Sequence, residues 1–164
     1  MGDTAYVVTY NETAPLNVID LSDPKTPKSK GAVEVKGFSD MLVPADDNKV
    51  LSIGYCDEKG DHCDWYNAAG MKLTLFDVSD RFNPKALDTK SYVKYYSEVQ
   101  GNPNALVYNP DRDEYLIPLN YDESFVSSSD KEAKAESATA EGGMLCFKLA
   151  DGKIVESDKH KTES

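Results

Sequence analysis

The sequence predicts an all-β chain, and three observations predict it. A thirteen-residue motif recurs 57 positions further along. Three six-residue apolar runs, each ending in tyrosine, follow acidic or Asn-containing turns. No segment sustains a helical period except residues 131–141, which suit a short, loose helix.

The motif decides the architecture, because a repeated unit fixes what each copy packs against. The first copy reads Leu16-Asn17-Val18-Ile19-Asp20-Leu21-Ser22-Asp23-Pro24-Lys25-Thr26-Pro27-Lys28. The second reads Leu73-Thr74-Leu75-Phe76-Asp77-Val78-Ser79-Asp80-Arg81-Phe82-Asn83-Pro84-Lys85, and six of the thirteen positions are identical. A decayed third copy, Met144-Leu145-Cys146-Phe147-Lys148-Leu149-Ala150-Asp151-Gly152, keeps the strand and exchanges the Ser-Asp-Pro turn for Asp-Gly. The tyrosine-ending runs, 5–10, 50–55 and 116–121, lie upstream of the copies. Their Val, Ile, Leu and Tyr content between turn residues reads as strand. Residues 38–43 and 105–108 supply a strand ahead of the second and third runs. Residues 32–36, 91–94 and 153–156 supply one behind each motif copy.

The unit is therefore four strands, A to D, and the chain holds B-C-D, then A-B-C-D, then A-B-C with a short D. Four-stranded antiparallel sheets repeated at this scale are the blades of a β-propeller. Consecutive apolar residues in strands B and C suit sheets packed on both faces. A β-sandwich, the runner-up, gives no reason for a strand-turn motif repeated at a fixed offset. The expected organisation is one propeller segment over residues 1–164. Blade 1 is partial (1–37), blade 2 spans 38–95 and blade 3 spans 96–157, with a flexible loop at 122–143 rich in Ser, Ala, Glu and Lys. Propellers close with about four to eight blades. A partial propeller is expected, either a segment of a longer protein or a protomer that completes a ring with further copies of itself.

Composition narrows the partners. Of 164 residues, 29 are Asp or Glu and 18 are Lys or Arg, a net charge of −11. A field of that sign repels nucleic-acid phosphates and anionic lipid, so neither is an expected partner. The apolar runs are too short to span a bilayer, so no membrane insertion is expected. No basic stretch followed by an apolar one opens the chain, so no signal peptide is expected in it.

The two Leu-x-x-[Ile/Phe]-Asp-[Leu/Val]-Ser-Asp-x-x-x-Pro-Lys copies resemble the repeats of secreted bacterial and archaeal β-propeller proteins distantly related to WD40 repeats, whose hallmark is VIDLSDPxxP. Residues 44–55, 70–80, 96–98 and 142–157 are similar to the same family. The resemblance implies an exported or surface-attached propeller protein and carries over no catalytic residue. The loop at 56–64, with its paired cysteines, departs from that pattern.

In a propeller the B–C loops and D–A connections share one face. The three B–C loops here are very unequal, at 11–15, 56–70 and 122–143, and function concentrates on loops held by a fixed scaffold. Cys56 and Cys63 bracket the second loop. A disulfide between them would stabilise by about 2–3 kcal/mol and would point to an oxidising compartment. Free thiols are the second reading. Zinc through Cys56, His62, Cys63 and Asp64 is the third, since structural zinc sites carry two Cys/His pairs and only one is present. Cys146 reads as a small core residue. Asp57, Asp61 and Asp64 offer oxygen ligands to calcium, although their spacing misses the twelve-residue calcium loop, and a solvated acidic loop is the blander reading. Trp65, Tyr66, Tyr95 and Tyr96 are candidate aromatic anchors on this face. Packing between blades competes for the group around Tyr92, Tyr95 and Tyr96. The carboxylates of Asp20, Asp23, Asp77 and Asp80 read as turn-bonding groups rather than an acid/base pair. The two histidines, His62 and His160, stand about 100 positions apart with no positioned base around either, so no catalytic site is expected.

These readings converge on a non-catalytic binding or scaffold segment of a secreted or cell-surface propeller. No cofactor is expected, and a protein or carbohydrate would be met through the B–C face. The alternatives are an enzyme whose active site forms only in the complete ring, and a calcium-dependent surface-binding module.

Overall fold

A computed structural model of the chain describes residues 2–8, 16–33, 38–57, 59, 68–122, 142–157 and 160–161. The apolar runs form strands because they leave no face for solvent. Lys49–Cys56 (β5) and Gly70–Asp77 (β6) are buried along nearly their whole length, on both sides. Such strands need cover above and below, and the fold supplies it as three antiparallel sheets laid face to face.

The first sheet holds Thr4–Val8 (β1), Leu16–Asp20 (β2) and Lys28–Val33 (β3) in that spatial order. The second runs Phe38–Asp46 (β4), β5, β6 and Lys85–Val93 (β7). In the third, Glu114–Tyr121 (β10) pairs on one edge with Tyr95–Tyr96 (β8) and Val107–Asn109 (β9), and on the other with Gly143–Ala150 (β11). β11 then pairs with Lys153–Glu156 (β12) and His160–Lys161 (β13). Each sheet is a meander of neighbouring strands, the arrangement of a propeller blade, and the chain is an all-β partial propeller.

The second sheet is the middle layer. Leu51 and Ile53 of β5, with Met71, Leu73 and Leu75 of β6, join Tyr115, Ile117, Leu119, Leu145, Phe147 and Ile154 of the third sheet in one buried cluster. The adjacent Val50 and Phe76 point the other way, as alternation along a strand requires, and pack with Leu16 against the first sheet. That side also carries hydroxyls: buried Ser39 and Ser52 lie 2.7 Å apart, and the exposed Thr89 donates to buried Thr74 at 3.5 Å. Gly70 is needed where β6 begins, because a Cβ there would lie 2.7 Å from the Val93 Cα of β7.

The turns carry out the work expected of the repeated aspartates. Asp20 accepts the Ser22 N–H at 2.9 Å, and Asp77 accepts the Ser79 N–H at 2.8 Å. Asp23 accepts the Lys25 N–H and the Thr26 hydroxyl, while Asp80 accepts the Phe82 N–H and the Asn83 amide. In the third copy Asp151 and Gly152 both have positive φ (51° and 71°), the two-residue hairpin that Asp-Gly favours.

The outer strands differ from the sequence expectation. β3 and β7 start at Lys28 and Lys85, immediately behind each motif's second proline position, rather than at 32 and 91. Both lie on solvated sheet edges and are largely exposed, so no apolar pattern marks their first halves. The inner strand of the third sheet differs more. In place of one strand at 105–108, the pairing opens at Tyr95 with β8, breaks off, and resumes at β9. Two 3-10 turns, Glu98–Gln100 and Pro103–Ala105, fill the interval. The third sheet thus starts at Tyr95, one residue ahead of position 96. The expected flexible loop at 122–143 falls outside the described residues between 123 and 141. Among the described residues no helix is long and apolar enough to cross a membrane.

Candidate functional site

The interruption of the inner strand builds a concavity on the B–C loop face. Strand β7 passes directly into β8 through Lys94, whose φ of 67° turns the chain without a loop. The Lys94 N–H donates to the Ala69 carbonyl, and its carbonyl accepts the Asp122 N–H at 3.0 Å. This junction ties the second sheet's outer strand to the start of β6 and the end of β10, all on the B–C loop face.

From there the chain leaves the sheet. Ser97 caps the first 3-10 turn in a reciprocal box, accepting the Val99 N–H at its hydroxyl while Gln100 Oε1 accepts the Ser97 N–H at 2.8 Å. The Gln100 amide donates across the blade boundary to the Gly54 carbonyl at 3.0 Å, beside the bulge at Asp40 in β4. Val99 is buried in the cluster between the second and third sheets. Asn102 caps the second turn by accepting the Asn104 N–H at 3.1 Å. The excursion is therefore bolted to both blades by hydrogen bonds and a buried valine.

A cavity of about 520 Å3 opens beside it, lined by Tyr55, Tyr96, Ser97, Glu98, Gln100 and Asp122 together with Gly101 and Asn102. That volume lies in the range of small-ligand clefts. Tyr96 stands 37% exposed at its rim. The Tyr95 ring turns inward instead, edge-on to Tyr121 at 5.5 Å and 77°. The Tyr121 hydroxyl is buried without a hydrogen-bond partner. Chemically, the cavity offers an aromatic face and carboxylates. Among its described lining residues there is no histidine, cysteine or lysine.

The expected site residues fare differently. Of the aromatic anchors, Tyr96 lines the cavity and Tyr95 packs against the inter-blade core, while Trp65 and Tyr66 lie outside the described residues. Tyr92 is a packing residue. Its hydroxyl donates to Glu156 at 2.9 Å across the blade boundary, and burial together with that carboxylate pushes its pKa well above the usual tyrosine range. Asp57 accepts the Lys59 N–H at 2.9 Å in a local turn, while Asp61 and Asp64 lie outside the described residues. Among the described residues no three His, Cys, Asp or Glu side chains cluster as a metal site. Cys56 is buried with its Sγ 3.5 Å from the Met71 carbonyl, and Cys63, its expected partner, lies outside the described residues. Cys146 is buried, as a core residue should be. The sequence reading missed Glu98, Gln100 and the whole excursion. The signal was present, since Ser97-x-x-Gln100 is a capping box and Asn102-Pro103 a turn opening.

Two curated relatives match the chain. It is 32% identical over 164 residues to an uncharacterised protein of Methanocaldococcus jannaschii, covering 99% of this chain and 21% of that protein. It is 35% identical over 117 residues to an uncharacterised protein of Archaeoglobus fulgidus, covering 71% of this chain and 17% of that protein. The chain thus spans about a fifth of the length of the relatives it matches. Residues 1–163 match the family described as Beta propeller domain. With three stacked antiparallel sheets and a repeated strand-turn motif behind it, that match places the chain in the Beta propeller domain family.

Proposed function

We propose that this chain is a non-catalytic blade segment of a larger secreted or cell-surface propeller, and that it meets a protein or carbohydrate partner through the B–C loop face. The observation that carries the reading is the position of the cavity. It opens beside Tyr55 and Asp122, at the ends of β5 and β10 from which the second and third B–C loops depart, and the strand framework beneath it is packed into the inter-blade core. Variable loops over an invariant scaffold are how binding surfaces are built. The outward faces of the first and third sheets expose Val7 (39%), Val107 (53%) and Val155 (48%). In this reading those faces take neighbouring blades, supplied by the rest of a longer chain or by further copies of this one. The WD40 relationship and the archaeal or bacterial surface setting belong to the same proposal, as does a calcium ion held by Asp57, Asp61 and Asp64.

The test is a binding screen of the full-length protein on glycan and peptide arrays, beside a variant in which residues 57–67 are replaced by a short Gly-Ser linker. The expected result is binding by the parent and loss in the variant, with unchanged thermal unfolding. An enzymatic activity of the full-length protein that a substitution on the inner strands abolishes would overturn the non-catalytic reading.

A further inference from the structure

The chain already holds one cation between a ring and a carboxylate. At the boundary between the first and second sheets, the Lys30 ammonium lies 3.2 Å from Asp20 and 4.9 Å above the Phe82 ring. That is a cation–π contact completed by an ion pair. At the next boundary, between the second and third sheets, the cavity brings the same two kinds of group together. Tyr96 and Tyr55 supply rings, Glu98 and Asp122 supply carboxylates, and no lysine or arginine is among the described lining residues.

Resting on the reading of the B–C face as a binding surface, we infer that this cavity receives an arginine or lysine side chain of a protein partner. The guanidinium or ammonium would lie on the Tyr96 ring and pair with the Glu98 carboxylate. Four features favour this occupant over a neutral one. The chain's net charge of −11 draws cations toward it. The Gln100 amide is already committed internally, to Gly54 and Ser97, so it is not aimed at sugar hydroxyls. Glu98 and Tyr96 are exposed, so a ligand can reach them. The excursion that carries Glu98 is held on both blades, which presets the site before a partner arrives.

The probes are a blocked tetra-arginine peptide, a blocked tetra-glutamate peptide and neutral cellotetraose, titrated calorimetrically into this chain. Three variants accompany the wild type: Glu98→Gln, Tyr96→Leu and Asp47→Asn. The last removes the same charge from the turn between β4 and β5, away from the cavity. Tetra-arginine should bind and tetra-glutamate should not. Glu98→Gln should weaken binding about tenfold and Tyr96→Leu several-fold, while Asp47→Asn should change it by less than about twofold. Equal losses for Glu98→Gln and Asp47→Asn would show diffuse charge attraction and overturn the inference. Binding of cellotetraose alone, lost in Tyr96→Leu, would overturn the cationic occupant and keep the face as a binding surface. Silence from every probe would count against both.

Discussion

Asp20 and Asp77 do the same task 57 residues apart, and their chemistry sets how the fold responds to acid. Hydrogen bonding from Ser22, aided by Lys30, brings the Asp20 pKa down to about 2. Hydrogen bonding from Ser79 lowers Asp77, and the turn bonds of Thr26 and Asn83 lower Asp23 and Asp80. A depressed carboxylate stabilises the fold above its ordinary pKa near 4, and that contribution disappears as pH falls through the folded value. The measurement is chemical denaturation of the wild type and of Asp20→Asn/Asp77→Asn between pH 7 and 2. The wild type should be the more stable at neutral pH, with the difference shrinking below about pH 4 and gone near pH 2. Comparing the two proteins removes the general relief of charge repulsion that acid brings to an acidic chain. The cysteines answer a second question at this scale. With Cys56 and Cys63 bonded, the denatured protein from an oxidising compartment should titrate a single thiol, Cys146. Three thiols would overturn the disulfide reading of Cys56 and Cys63.

Among the elements, the solvated outer strands hold the blades together through polar clasps, and they were the hardest to read from sequence. In β7, burial pushes the Asp88 carboxyl up, but the Ile154 N–H at 2.9 Å and the nearby Lys153 prevail and hold it below the ordinary range. Asp88→Ala should leave that N–H without its acceptor and cost about 1–3 kcal/mol. It should also speed hydrogen exchange in β12, read amide by amide; unchanged β12 exchange would mean that the blades are held by their apolar cluster alone. The central strands were legible because Leu51, Ile53, Leu73 and Leu75 must be apolar to lie between two sheets. The first halves of β3 and β7 were not, since Lys28, Ser29, Lys30, Lys85 and Ala86 meet water and obey no apolar pattern. The break between β8 and β9 was missed for a different reason. The Ser97-x-x-Gln100 capping box marked it locally, but nothing local showed that Gln100 also reaches Gly54, 46 positions away in sequence, and holds the excursion against the second sheet. Site residues chosen by type alone, such as Tyr95, were separated from Tyr96 only by the fold, which turns one ring inward and leaves the other at the cavity rim.

For the whole molecule, the stacked sheets leave two ends. The outward faces of the first and third sheets carry exposed valines on strands whose opposite faces are core, and nothing in the described residues covers them fully. A blade with one such face open is a template for another blade. Light scattering across micromolar concentrations should give a molar mass above that of one chain and rising with concentration. Val107→Lys/Val155→Lys should return it to the monomer. A mass fixed at one chain throughout would mean that these faces tolerate water and that neighbouring blades are not needed for solubility. In the first sheet Lys30 bulges out of the pairing opposite Val18 and Ile19, and in the second Leu87 does so opposite Leu75 and Phe76. The two bulges are separated by 57 residues, the same interval as the motif, and the third sheet, with its tight Asp-Gly hairpin, pairs β11 to β12 without one. The irregularity thus travels with the long turn. Turn length and strand register therefore go together: the two blades with the long Ser-Asp turn carry the bulge, and the blade with the Asp-Gly hairpin pairs without it.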